Sequence, residues 1–335
     1  MTTAGARDPH ALTSWHADWS GLRALVVGLG AAGFAAVDTL VELGADVLVV
    51  AEHATDDALR LVDVIGARAV VSALEPPPGA VAAFDAQLVV VSPGVAPDAP
   101  LLVAAREGGI PVWGDVELAW RVRDKVRAAE WLAVGGAGAT LATDLLLHVL
   151  AANGVRVAVV GDDAPAVLDA VRDPGGFDAL VVQLGERQLR HAADWPVSPL
   201  AGVVTAAGDA VPAVLGRLYA NTRLACVYNK ADLATQRMVE DAEVVEGARA
   251  VGFDAGTPGP SDLGVVDGIV VDRAFHDDRH RSALELTTRG ELEAVGLGDG
   301  AGLTAVLAAS ALARAVGVPP GAIGAAIATF ASRRE

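Results

Sequence analysis

Short apolar runs recur along the chain, separated by longer stretches whose apolar positions repeat at helical spacing. The stretch LRALVVGLGAAGFAAVDTLVELGADVLVVAEH (22–53) gives the pattern in full: an apolar run, a glycine turn, an amphipathic segment and a second apolar run, which together predict a βαβ unit. Further strands are expected at 68–72 (RAVVS), 87–92 (QLVVVS) and 110–113, with a helix over 98–108. The alternation predicts a doubly wound parallel sheet.

The polar run RVRDKVRAAE (121–130) breaks the alternation, which then restarts at WLAVGGAGATLATDLLLHVL (131–150). Strands are expected at 155–160, 179–184, 201–205, 223–228, 243–245 and 268–271, and helices at 140–152 and 303–317. Pro319 and Pro320 suit the start of a last helix over 319–331, and PPPG (76–79) marks a turn. The expected organisation is therefore two domains, 1–128 and 129–335, both α/β.

Composition narrows the core and the partners. Hydrophobic residues make up 53% of the chain and aromatics only 4%, so the core must be built from small aliphatic side chains. A net charge of -17 repels phosphate backbones, and no basic stripe counters it, which excludes nucleic acid. The most apolar windows, 131–150 and 301–318, are broken by Asp144 and Arg314, so they predict core segments and no membrane span. The amino terminus has no apolar signal segment, which makes the cytoplasm the default expectation. Cys226, the single cysteine, excludes a disulfide framework and is expected in the core.

Candidate chemistry starts at the glycine turns. Gly28, Gly30 and Gly33 form G-x-G-x-x-G between a strand and a helix, where backbone N–H groups can approach a diphosphate; the same spacing also serves tight helix packing. Glu52 and His53 follow the second strand, where such folds contact the nucleoside. Ser92, Pro93 and Gly94, in VSPGVAPDAP (91–100), leave the fourth strand on the same carboxyl edge. This turn alone also permits an NAD-dependent oxidoreductase, although no paired acid and base accompanies it.

The runs VVGLGAAGFAA, VVVSPGVAPDAPLLVAAREGGIPVWGDVELAW and LACVYNKADLATQRMVEDAEVVEGARAVGF resemble the Mur ligases that build peptidoglycan, in their MurD-like actinobacterial form. GTPGPSDLGVVDGIVVDRAF and ALARAVGVPPGAIGAAIATF extend the resemblance over nearly the whole chain. It implies an N-terminal Rossmann-like parallel-sheet domain that holds a UDP-sugar, followed by a central P-loop-like ATPase domain. The family's third domain would begin where FASRRE ends the chain, so that domain is expected to be absent.

The resemblance also implies where ATP and Mg²⁺ should act, and the residues there differ. The family's phosphate loop, G-T-N-G-K-T-T, corresponds to residues 136–142, so that Gly136 is kept, Gly138 stands for the asparagine, Thr140 for the lysine, and Leu141 and Ala142 for the hydroxyls. Gln183 replaces the magnesium-binding glutamate, and Glu186 is expected on the opposite face of a continuing strand. TAAGDAVPAV (205–214) replaces the histidine-bearing segment and keeps one acid, Asp209. Leu215 stands for the carbamylated lysine, and Ala301, Gly302 and Ala305 for the adenine-holding H-N-x-x-N.

Five parts of one site are changed together, which predicts a non-catalytic MurD-like protein with no metal site and no cofactor. It is expected to take a UDP-N-acetylmuramoyl ligand, or to act on a Mur ligase, another cell-wall enzyme or a second copy of itself. The alternative is an active, truncated ligase that joins D-glutamate to UDP-N-acetylmuramoyl-L-alanine with ATP.

Overall fold

The computed structural model describes residues 8–74, 83–192 and 195–330, so the PPPG turn lies outside the described residues. The chain clusters into two compact units. The first takes residues 1–128 and also 165–176 and 190–196, two segments that sequence alone assigns to the second.

In the first unit the strands are Arg23–Val27 (β1), Asp46–Ala51 (β2), Arg68–Val71 (β3), Leu88–Val91 (β4) and Val112–Gly114 (β5). They form one parallel sheet in the order β3-β2-β1-β4-β5. The crossovers use helices Ala31–Glu42 (α1), Asp56–Val64 (α2) and Pro100–Glu107 (α3), and Asp115–Arg121 (α4) follows β5. Strand β1 is central and its neighbours run outward on both sides, so the point where the strand order reverses lies beside the G-x-G-x-x-G turn. Ligands of open α/β sheets collect at that point, on the carboxyl edge. The helix Val167–Arg172 (α6) packs on α1, where Arg172 reaches Asp38 at 2.5 Å and Glu42 at 3.0 Å.

The second unit starts with Glu130–Gly135 (β6), Ala139–Ala152 (α5), Val157–Gly161 (β7) and Ala179–Gln183 (β8). Then follow Glu186–Leu189 (α7), Ala201–Val204 (β9), Pro212–Leu215 (α8), Ala225–Asn229 (β10), Leu233–Glu240 (α9) and Arg249–Phe253 (β11). The remainder is Asp262–Val266 (β12), Ile269–Asp272 (β13), Leu284–Thr288 (β14), Arg289–Ala294 (α10), Gly300–Ala315 (α11) and Pro320–Ile327 (α12). The sheet order is β14-β13-β12-β11-β10-β9-β6-β8-β7. It is parallel from β7 to β12 and antiparallel across β12, β13 and β14.

Two expectations fail here. Residues 243–245 are loop, with Val244 and Val245 over 40% exposed, and the strand begins later, at Arg249. The antiparallel strands β12 and β14 are absent from the expected set. Asp267 and Gly268 both take positive φ (48° and 80°) in the turn that joins β12 to β13, the geometry of a two-residue hairpin.

The core of the second unit is aliphatic, as the composition requires. Helices α5 and α11 pack against each other, and Ala142, Leu145, Leu146, Ala305, Ala309 and Leu312 are buried in the core to which both contribute. No helix among the described residues is long and apolar enough to cross a membrane. Cys226 is buried on β10, and burial pushes its thiol up to about 11.

Arg314 interrupts the last apolar window because it makes a buried ion pair. Its Nε donates to Asp272 Oδ2 at 2.8 Å, while its two terminal nitrogens donate to the Val318 and Phe275 carbonyls. Asp272 is fully buried and also accepts from the Ala274 and Phe275 N–H groups. Removing the guanidinium strands a buried carboxylate, so Arg314→Met is expected to lower the unfolding free energy by about 3 kcal/mol. Urea titration measures this, and a loss near zero would refute it.

Candidate functional site

The first cleft is built where β1 turns into α1. Gly28 takes φ 92°, and a Cβ there would meet Ser92 Cβ and Val95 Cγ2 at 2.9 Å, so the turn and the loop after β4 lie in direct contact. Gly30 is the N-cap of α1 and no side chain caps the helix, which leaves its first N–H groups for a ligand. A cleft of about 660 Å³ results, lined by Gly28, Gly30, Glu52, Ser92 and Gly94, and by His53 and Asp98. Among the described residues no lysine or arginine lines it, so an anion there would be held by main-chain N–H dipoles.

Two of the predicted residues do different work. Gly33 does not line the cleft; a Cβ on it would stand 2.2 Å from the Gly28 oxygen, so it is the contact that lets α1 close on the turn. Pro93 is also outside the lining, while Val95, Ala96 and Asp98, which sequence reasoning does not single out, are in it. Their position on the carboxyl edge after β4 is the signal that could have found them.

The second cleft, about 340 Å³, lies where β6 turns into α5. Gly136 (φ 91°) would place a Cβ 2.2 Å from the Ala206 oxygen, and Ala137 N–H donates to that same oxygen at 2.9 Å. The facing loop is fixed from behind: Thr205 Oγ1 donates to the Ala137 carbonyl, Asn229 Nδ2 to the Thr205 carbonyl, and Ala207 N–H to Asp232. The glycine turn therefore has a rigid opposite wall.

Gly138, Thr140, Gln183 and Leu215 all line this cleft, with Asp162, Asp163, Glu186 and Asp209. Leu141 and Gly302 do not. Gly302 instead packs on Leu297, where a Cβ would meet the Leu297 Cα at 2.7 Å. Glu186 corrects another expectation, because β8 ends at Gln183 and the chain turns at Gly185 into α7, which brings Glu186 to the cleft. Gln183 Nε2 donates to Thr140 Oγ1 at 3.4 Å. The two residues that stand for the lysine and the glutamate thus face each other as a neutral pair.

Neither Thr140 nor Gln183 offers a charge to Mg-ATP. Among the described residues no lysine or arginine lines the cleft to meet the β and γ phosphates, and Arg187 is bound to Asp162 at 2.7 Å. Leu215 is buried and offers no ligand atom. Among the described residues no group of three or more His, Cys, Asp or Glu is placed to hold a metal ion.

Comparisons with known proteins place the chain among the Mur ligases. Residues 22–114 match the family described as Mur ligase MurD-like, N-terminal domain. A protein of Leifsonia xyli subsp. xyli named UDP-N-acetylmuramoylalanine–D-glutamate ligase is 52% identical over 95% of this chain and 66% of its own length. One of the same name from Tropheryma whipplei strain Twist is 40% identical over 95% of this chain and 68% of its own. The chain thus spans about two thirds of the length of these relatives. Among solved structures, the UDP-N-acetylmuramate:L-alanyl-gamma-D-glutamyl-meso-diaminopimelate ligase of Neisseria meningitides superposes with a TM-score of 0.55 at 15% identity. It is covered over 99% of its chain, and 93% of this one is covered, a likeness of fold.

The turn geometry of the first cleft yields a contrast. Gly33→Ala forces a methyl into the Gly28 carbonyl and is expected to cost about 1–3 kcal/mol of stability through overpacking. A Cβ on Gly94 would meet no atom within 4 Å, so Gly94→Ala should stay within about 0.5 kcal/mol of the wild type. Denaturant midpoints for the two variants separate the cases, and equal midpoints would contradict the packing role of Gly33.

Proposed function

The chain belongs to the Mur ligase family, in its MurD-like branch, and from that footing we propose that it holds a UDP-N-acetylmuramoyl ligand in the first cleft without ligating it. The observation that carries the proposal is the Thr140–Gln183 contact. Thr140 offers no charge to a triphosphate. Gln183 is a neutral amide where a divalent cation prefers a carboxylate. With Leu215 buried beside them, three positions that a phosphoryl-transfer site needs charged or metal-binding are neutral together.

The first cleft supports the binding half of the proposal. Its glycine turn, the uncapped N-terminus of α1 and the acidic rim residue Glu52 combine diphosphate donors with a hydrogen-bond acceptor for ribose hydroxyls. The same turn permits a nicotinamide reading, but the family match over 22–114 favours the UDP-muramoyl one.

A second reading is ATP-dependent ligation of D-glutamate to UDP-N-acetylmuramoyl-L-alanine. The relatives favour it over the non-catalytic reading, since two bacterial proteins with that name align along both units at 52% and 40% identity. Against it stand the residues of the second cleft, and only a measurement on this chain decides.

Calorimetric titration separates the two. UDP-N-acetylmuramoyl-L-alanine is expected to bind saturably, and Mg-ATP to give no saturable heat at micromolar concentrations. Thr140→Lys combined with Gln183→Glu should raise the affinity for Mg-ATP by at least about tenfold, because a point charge and a metal ligand return to the turn. Micromolar binding of Mg-ATP by the wild type, with phosphate release on adding D-glutamate, would establish the ligase and overturn the proposal.

A further inference from the structure

His191 is a buried histidine whose imidazole Nε2 lies 3.0 Å from the Val95 carbonyl oxygen, 96 residues away in sequence. An acceptor oxygen at that distance requires the Nε2–H tautomer, so the histidine donates. Among the described residues its Nδ1 is buried and without a hydrogen-bond partner. Burial favours the neutral ring, the bond to Val95 opposes this, and the guanidinium of Arg106 on α3 adds to the depression of its pKa. A Cβ on Gly114 would meet His191 Cβ at 3.4 Å, so the histidine sits close to the end of β5 while its ring donates to a loop carbonyl.

That loop is a wall of the first cleft. Ser92 N–H donates to the Val27 carbonyl, Val95 N–H to the Ser92 carbonyl, and Arg106 Nη1 to the Pro97 carbonyl at 2.7 Å. Val95 Cγ2 is one of the atoms pressed against Gly28. A displaced Val95 carbonyl therefore moves the side chain that sets the width of the cleft at the glycine turn.

We propose that His191 is a positioning residue of the first cleft, which fixes the Val95 carbonyl and through it the spacing between the 92–96 loop and the Gly28 turn. This rests on the assignment of that cleft to a UDP-N-acetylmuramoyl ligand, although the geometric part of it does not. A ligand held by main-chain N–H groups tolerates little displacement of those groups, so affinity depends on the wall that keeps them in place.

Three variants test this by titration with UDP-N-acetylmuramoyl-L-alanine and by hydrogen exchange of the 92–99 amides without ligand. His191→Leu removes the donor from the half-buried Val95 carbonyl; it is expected to raise Kd by about tenfold and to speed exchange in the loop. His191→Gln restores a donor and should return Kd to within about threefold of the wild type. Val62→Ala, a cavity at a buried residue of α2 that does not line the cleft, should lower overall stability and leave Kd unchanged. Equal exchange over 92–99 in His191→Leu and the wild type would overturn the proposal, as would failure of His191→Gln to rescue a weakened Kd. If the wild type does not bind the ligand, the assignment of the cleft fails, and the exchange comparison still decides the role of His191.

Discussion

At Gly33 a methyl would stand 2.2 Å from the Gly28 oxygen, and at Gly136 it would stand 2.2 Å from the Ala206 oxygen. In both units, then, a parallel strand passes into a helix through a turn with no room for a side chain. This close approach aims the unused N–H groups of α1 and α5 at the carboxyl edge of each sheet, where the strand order leaves a crevice. Packing alone accounts for glycine at these positions, whatever chemistry the clefts carry. A glycine-rich turn is weak evidence for a nucleotide for the same reason.

Most of the layered fold is legible from apolar runs, since buried parallel strands read as unbroken stretches such as ALVVQ in β8 and LVVV in β4. The failures lie where that signal weakens. In 243–245 two valines sit in an exposed, acid-flanked loop, whereas β11 starts on a half-exposed arginine and gives only a short apolar run. The β12–β13 hairpin does carry a signal, Asp267-Gly268 between two apolar runs, which outweighs hydropathy when strands are antiparallel. Arg314 looks like a break in an apolar window and is one end of a buried ion pair, a partnership across 42 residues that local periodicity cannot show.

The sites are legible in part. Gly28, Gly30, Glu52, Ser92 and Gly94 meet around one cleft, and Gly138, Thr140, Gln183 and Leu215 around another. Glu186 is misplaced by sequence reasoning because its face is judged from a strand that in fact ends at Gln183; one helical turn changes which side chains reach the edge. Gly33 and Gly302, expected at ligands, serve packing, the first against Gly28 and the second against Leu297. His191 has no sequence signal at all, because its partner is a main-chain carbonyl and any residue type can supply one.

The two clefts differ in what holds an anion, and that difference bears on how each responds to substitution. In the first, the donors are backbone N–H groups, which survive changes of side chain so long as the turn keeps its shape. In the second, a triphosphate with its metal would need a point charge and ligand oxygens from side chains, and each can be lost in a single substitution. Thr140 and Gln183 meet as a neutral pair, yet the turn beneath them retains the Gly136 contact and the fixed wall from Thr205 to Asp232. A turn and its main-chain donors thus depend on different residues from the charges beside them, and a relative 52% identical over 95% of this chain can share the turn without its name deciding whether this chain ligates.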